Sequence, residues 1–346
     1  MNTLEFSLHT LDRQELTEAL ECRDPEFNQA LLDEAFKVKI QHRGAKVFLR
    51  GLIEISNICT KNCLYCGIRK DIRCPRYELT DEQVMDAARL AAKGNFGSIV
   101  IQGGERTDVA FISRITRLVR AIKAIDTGGK PLGITLSLGE QTREVYEEWF
   151  DAGAHRYLLR IESSNPDLYR KLHPQDGAHS FERRMRALLD LKETGYRTGT
   201  GAMIGFPGQT AADMADDLLF YKSFGAPMIG MGPYNPHPDT PLTRSNAVYP
   251  ADDDRFMLGL KMIALLRLLM PDINIAAATA LEVLNPHGRE QGLLSGANVF
   301  MPNLTPAEER NKYNLYDRKT LAGDFSLGDS EREGKILIGY GEWGDY

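Results

Sequence analysis

The feature that most narrows what this chain can fold into is an alternation. After position 45, short apolar runs rich in Val, Ile and Leu alternate with amphipathic segments about eight times. The runs at 47–56, 98–103, 133–138, 156–161, 198–204, 228–232, 273–279 and 298–301 read as buried strands. The segments near 80–94, 108–125, 141–152, 181–195, 210–224, 251–269 and 287–295 read as helices, and Thr80-Asp-Glu-Gln and Thr210-Ala-Ala-Asp mark two of their starts. Strands that alternate with helices pair in parallel, and eight such units close naturally on themselves. The expectation is therefore an α/β chain with a complete (β/α)8 barrel over 46–310. A helical lead-in over 1–45 precedes it, with Leu16, Ala19, Leu20, Phe27, Ala30, Leu31, Ala35 and Phe36 at helical spacing, and a C-terminal extension over 311–346 follows. An open doubly wound sheet is the competing arrangement, but no GxGxxG opens a helix after the first strand. For the tail over 336–346 two placements stand open, packing over the bottom of the barrel or contact with a partner.

Composition removes several classes. The net charge of −6 gives no broad basic footprint for nucleic acid, and 42% hydrophobic with 26% charged residues is ordinary for a globular protein. No apolar run approaches the length of a membrane span, so no membrane association is expected. The start, MNTLEFSLHTLDRQELTEALE, lacks the basic head and apolar core of a secretory leader, and a cytoplasmic location is expected.

There are five cysteines, and Cys59, Cys63 and Cys66 form a CxxxCxxC pattern directly after the first strand. In a barrel that loop lies on the catalytic rim. Three soft thiolates on one loop suit three irons of a 4Fe–4S cluster and leave the fourth open to a ligand. A closed zinc site would need a fourth ligand, for which Cys74 is the nearby candidate, and a disulfide does not suit a reducing compartment. Cys22 reads as a helix-packing thiol and Cys74 as incidental to the cluster. Other strand ends carry Gln102-Gly-Gly-Glu105, Ser137-Leu-Gly-Glu140 and Arg160-Ile-Glu162. Turn formation explains the glycines but not so many charges directed at one rim.

The cysteine loop is the signature of the radical S-adenosylmethionine (SAM) enzymes. The chain further resembles the FeFe-hydrogenase maturase HydE family over roughly 40–310. The likeness lies in Ser56-Asn-Ile-Cys-Thr-Lys-Asn-Cys-Leu-Tyr-Cys-Gly, Thr135-Leu-Ser-Leu-Gly-Glu, Arg156-Tyr-Leu-Leu-Arg, Gly205-Phe-Pro-Gly-Gln-Thr, Gly232-Pro-Tyr-Asn-Pro-His-Pro-Asp-Thr-Pro-Leu and Gly296-Ala-Asn-Val-Phe-Met-Pro-Asn. The last two segments narrow it beyond the superfamily. Methylornithine synthase and biotin synthase share the layout more distantly.

The resemblance implies that the open iron chelates SAM and that reductive cleavage yields a 5′-deoxyadenosyl radical. It implies one 4Fe–4S cluster on Cys59, Cys63 and Cys66, with SAM held by Tyr65, Gln102, Gly103, Gly104, Glu105, Ser137, Glu162, Arg184 and Met228. Arg50, Arg160 and Thr279 match positions facing the substrate, and Tyr313 or Tyr316 is a candidate to reach the same cavity. His237 reads as a loop hydrogen-bonding residue. Implied partners are a small-molecule or organometallic substrate, other maturases, and a reductant such as ferredoxin or flavodoxin. Two departures lie beside these positions: a family histidine is Ile161 here, and the family's Gln-Ser-Gly-Glu-Asp reads Gln102-Gly-Gly-Glu-Arg106. No cysteine follows Cys74, which excludes a second cysteine-held cluster in the C-terminal region. The alternative activities are a mutase or sulfur transfer of the methylornithine- or biotin-synthase type. A non-catalytic zinc or iron–sulfur scaffold is the reading from outside the enzymes.

Overall fold

A computed structural model describes residues 10–245, 247–319 and 337–339. The strands are β1 (Lys46–Ser56), β2 (Ser98–Gly103), β3 (Gly133–Ser137), β4 (Arg156–Leu158), β5 (Arg197–Gly199), β6 (Met203–Ile204), β7 (Met228–Ile229), β8 (Gly232–Pro233), β9 (Asn274–Ile275), β10 (Val299–Phe300) and β11 (Leu337–Gly339). The first is the longest, and every residue from Val47 onwards is buried, as a strand covered on both faces requires.

The fold is α/β, with a curled parallel sheet in the order β10-β1-β2-β3-β4-β5. Of the expected complete barrel, the structure shows this six-stranded curled path. The remaining positions hold only two-residue parallel ladders, β6 with β8 and β7 with β9. The expected runs at 198–204 and 228–232 are broken around Gly201 and Gly230, where the two backbones approach so closely that a Cβ on Gly201 would strike the Gly230 carbonyl. Helices follow the strands as expected. Short ones at Pro166–Leu172, Thr279–Leu284 and Ala307–Arg310 escaped the periodicity because each has fewer than three turns.

Register positions the site. Glu54 on β1 stands opposite Gln102 on β2, which stands opposite Ser137 on β3. Residues at one level of a parallel sheet share a face. These three form one row near the C-terminal ends of the strands. Arg50 pairs with Ser98 two layers lower.

The lead-in forms helices Arg13–Glu21 and Pro25–Arg43, each with an aspartate N-cap. The first packs on helix Ala211–Phe224 and the second on helix Asp252–Leu269. A buried lysine locks this contact: Lys261 Nζ donates to the carbonyls of Ala19 (3.1 Å), Leu20 (3.2 Å) and Cys22 at the end of the first helix. Those are carbonyls that a helix end leaves without partners. β11 lies parallel to Lys46–Phe48, at the N-terminal end of β1. That placement matches packing of the tail at the bottom of the sheet; residue 336 and residues 340–346 lie outside the described residues.

Replacing the lysine ammonium by an apolar end leaves these carbonyls without a donor. Lys261→Met is expected to lower unfolding free energy by about 1–3 kcal/mol in urea titrations. Amide exchange should accelerate in 13–21 before it does in β1.

Candidate active site

A cavity of about 330 Å³ opens at the C-terminal ends of the strands. Its wall includes Cys59, Cys63 and Cys66 from the loop after β1, together with Tyr65. It also includes Gln102, Gly103, Gly104, Glu105, Ser137, Arg160, Glu162, Arg184 and Thr279. Residues drawn from across more than two hundred positions of sequence are thus brought to one space.

The cysteine loop is braced from β2. Thr60 N donates to Glu105 O at 2.9 Å, and Cys59 Sγ accepts from Glu105 N at 3.3 Å and Lys61 N at 3.4 Å. Glycine at 104 is what allows this approach. A Cβ there would collide with the Ile58 carbonyl and lie 2.8 Å from Cys59 Cβ. On its far side the loop is held by Leu64 N donating to Leu172 O, and Gly67 N donating to Leu315 O, both at 2.8 Å. Asn62 N donates to His179 Nε2 at 2.9 Å. His237 accepts from Asp239 N and Thr240 N in its own loop, consistent with a hydrogen-bonding role.

Beneath the loop lies a buried network of four charges. Lys61 Nζ is 3.0 Å from Glu140 Oε2 and 3.2 Å from Glu105 Oε1, and Arg184 Nε donates to Glu140 Oε1 at 2.6 Å. Glu105 Oε2 accepts from Glu140 N at 2.8 Å. Burial pushes both carboxyls up; at Glu140 the adjacent Arg184 and Lys61 outweigh it and hold the group below its ordinary value. Glu105 remains above its ordinary value because burial and the neighbouring Glu140 outweigh Lys61.

Glu162 has φ +65°, a left-handed backbone that is uncommon for such a side chain and is often found at ligand sites. Its Oε2 stands 3.1 Å from Arg160 Nη2, but out of line for a hydrogen bond. Arg160 Nε and Nη2 and Glu162 Oε2 are buried without hydrogen-bond partners. Such groups are costly to bury alone and present free hydrogen-bonding valences to a polar ligand. Tyr65 packs edge-on to His173 at 5.7 Å, in the cluster that contains Met203 and Tyr234. This gives an aromatic face next to the thiols.

Two expected site residues are not in this wall. Arg50 and Met228 line a separate small cavity with Arg156 and Tyr157, and Arg50 Nη1 meets Met228 Sδ at 2.7 Å. Arg50 shares the inward face of β1 with Glu54 but lies four residues lower, about 13 Å at the strand rise. Met228 opens β7; Met231, three residues further along, lines the main cavity. Position along the strand was the signal that favoured Met231.

The sequence reading missed Glu54, Lys61, Arg289 and Lys319, which also line the cavity. Glu54 accepts from Asn303 Nδ2 at 3.0 Å and is paired with Lys319. A charge at an inward position of a doubly covered strand was its readable signal. Both Tyr313 and Tyr316 reach the wall, and Gln102 Nε2 donates to Tyr313 Oη at 3.2 Å.

The cavity fits the cluster and SAM implied by the thiols. Burial pushes the Cys59 thiol up, the Cys63 thiol well up and the Cys66 thiol to about 12, and neighbouring thiols add to the rise at Cys63 and Cys66. Iron bound as thiolate relieves that cost. The unpartnered atoms of Arg160 and Glu162 leave polar valences for an amphoteric ligand.

One prediction concerns acid. A carboxylate held below its ordinary value of 4.5 stabilises the fold above that pH, and the contribution is lost as pH falls through its lower folded value. Glu140→Gln should therefore lower stability at pH 7 and flatten the loss of stability below about pH 4.5, read by urea midpoints from pH 3 to 7.

Comparison with known proteins agrees with this geometry. The model of the family described as the radical SAM superfamily matches residues 53–221. The "[FeFe] hydrogenase maturase subunit HydE" of Thermotoga maritima is 47% identical over 319 residues, covering 90% of this chain and 87% of that one. A 3-methylornithine synthase of Methanosarcina acetivorans is 26% identical, covering 89% and 84%. The crystal structure of a methylornithine synthase superposes with a TM-score of 0.77 at 24% identity, over 94% of this chain and 92% of that one, which shows the shared fold. The chain is a radical SAM enzyme and belongs to the HydE family of that superfamily.

Proposed function

We propose that this radical SAM enzyme acts in maturation of FeFe hydrogenase, contributing to assembly of the diiron subcluster from a small-molecule or organometallic substrate. The carrying observation is that three loop thiols, the glycine-rich β2 end and the unpartnered Arg160–Glu162 pair share one cavity. The 47% identity to a hydrogenase maturase subunit supports the biological role.

In this reading Cys59, Cys63 and Cys66 hold one 4Fe–4S cluster. With SAM bound, that group supplies reductive S–C5′ cleavage to methionine and a 5′-deoxyadenosyl radical. The chain does the rest. The backbone of Gln102, Gly103, Gly104 and Glu105, beside Ser137, orients the amino-acid end of SAM, and Arg184 and Glu162 bind its polar groups. A planar guanidinium suits a carboxylate, and Arg184 is held in place by Glu140. Tyr65 packs beside the adenine. Arg160 and Thr279, with Tyr313 and Tyr316, face the substrate, and the covering segment that carries both tyrosines excludes water from a reactive radical.

The domain reading is a barrel over 46–310 with extensions on either side. Its closure past the six-stranded path is supported by parallel bridges from Thr200 to Ile229 and from Ala276 to Val299, and by pairing of β10 with β1. Other maturases and a ferredoxin- or flavodoxin-type reductant are the expected partners. Among the described residues no helix is long and apolar enough to cross a membrane, and the cytoplasmic reading remains as proposed from the sequence.

The test is anaerobic. The reconstituted, dithionite-reduced protein should convert SAM to 5′-deoxyadenosine, and Cys63→Ala should abolish this; undiminished turnover in that variant contradicts the assignment. Arg160→Met should retain cleavage of SAM within a few-fold. It should lower activation of apo-hydrogenase in a complete maturation mixture by about 10- to 100-fold, the effect of losing a charged hydrogen bond.

A further inference from the structure

The four-charge network balances itself, with Lys61 and Arg184 against Glu105 and Glu140. Arg160 stands against Glu162, Lys319 against Glu54, and Arg289 against Glu282. Arg76 stands outside these pairings. Arg76, ten residues past Cys66, turns its guanidinium back under the cysteine loop into a cage of backbone carbonyls. Nη1 donates to Asn57 O at 2.6 Å and Ile68 O at 2.8 Å. Nη2 donates to Arg69 O at 2.6 Å, Ile72 O at 3.0 Å and Lys70 O at 3.3 Å. Among the described residues no carboxylate pairs with it.

The cage grips both flanks of the loop, Asn57 two residues before Cys59 and Ile68 two residues after Cys66. A five-donor planar cation is the side chain suited to gather so many carbonyls, and it cannot shed its charge. The two carbonyls on Nη1 lie two residues from Cys59 and two from Cys66, which places the charge of Arg76 beside the loop that carries the thiols. The Ile68 N–H donates to Cys66, and Arg76 holds the carbonyl of that same residue.

We propose that Arg76 is a positioning residue for the cluster: it fixes the flanks of the cysteine loop, and its uncancelled charge raises the cluster's electron affinity. This rests on the assignment of a 4Fe–4S cluster to Cys59, Cys63 and Cys66. When an external one-electron donor reduces that cluster, one negative charge is added next to the loop and no bond is made or broken. A fixed positive charge favours the more negative state, and net charge and hydrogen bonds around the sulfurs are the levers that set such potentials.

The measurement is an EPR-monitored redox titration of anaerobically reconstituted protein, alongside Arg76→Gln and Arg76→Lys. The unaltered protein is reconstituted first. Failure to form a cluster there defeats the cluster assignment itself rather than the role of Arg76. With the cluster in place, Arg76→Gln should bind the electron about tenfold more weakly, a fall of about 59 mV for one electron. Arg76→Lys, which keeps the charge but not the cage, should restore most of that fall while amides of 68–72 exchange faster than in the unaltered protein. An Arg76→Gln protein with full iron and an unchanged midpoint potential overturns the proposal. So does failure of both variants to take up iron with an intact circular dichroism spectrum, because Arg76 is then a scaffold residue only.

Discussion

Burial of charge is the constraint on which the rest of the site depends. Lys61, Glu105, Glu140, Glu162 and Arg184 are each less than one-tenth exposed, and Glu54 is 1% exposed. Left alone, any of them would cost several kcal/mol or give up its charge. The fold answers by setting an opposite charge beside each, for all but Glu162 from a different strand end or loop. That pairing requires the strands to be in one register and the cysteine loop to lie directly over the end of β2. Gly139 shows how tight the fit is: its φ is +79°, and a side chain there would strike the Glu105 carboxylate. The electrostatic network thus fixes the cavity's shape before any ligand is considered.

The loop above that network is short and carries three thiols, so its conformation is decided by what surrounds it. The glycine-rich end of β2 presses against it from one side, and the segment after β10 closes on it from the other through Leu315. Arg76 gathers its flanks from below. Two backbone N–H groups directed at Cys59 Sγ favour the thiolate over the thiol. Structure and chemistry meet here, since the contacts that shape the loop also prepare its sulfurs for iron.

Much of this was legible in the sequence because it depends on local pattern. The alternation of apolar runs locates the strands of the sheet, and CxxxCxxC after the first strand announces the metal chemistry. Strand-end polar residues such as Glu105, Arg160 and Glu162 face the cavity as their positions suggest. What was not legible depends on depth and on long-range pairing. Arg50 and Met228 lie lower along the chain's course than the cavity residues that follow them, a depth that alternation alone does not reveal. Lys61 looks like a loop charge until Glu140, 79 residues away, is brought to it. Lys319 meets Glu54 from 265 residues away. The β6–β8 side breaks into two-residue ladders around Gly201 and Gly230, a tertiary outcome that the apolar runs conceal.

The central claim is that the three loop thiols hold a cluster with an iron open to SAM. EPR spectroscopy of the anaerobically reconstituted, reduced protein, recorded with and without SAM, tests it most directly. The account predicts one reduced-cluster signal whose g values shift when SAM binds the open iron. A signal indifferent to SAM, or a protein that takes up zinc in place of the cluster, would contradict it.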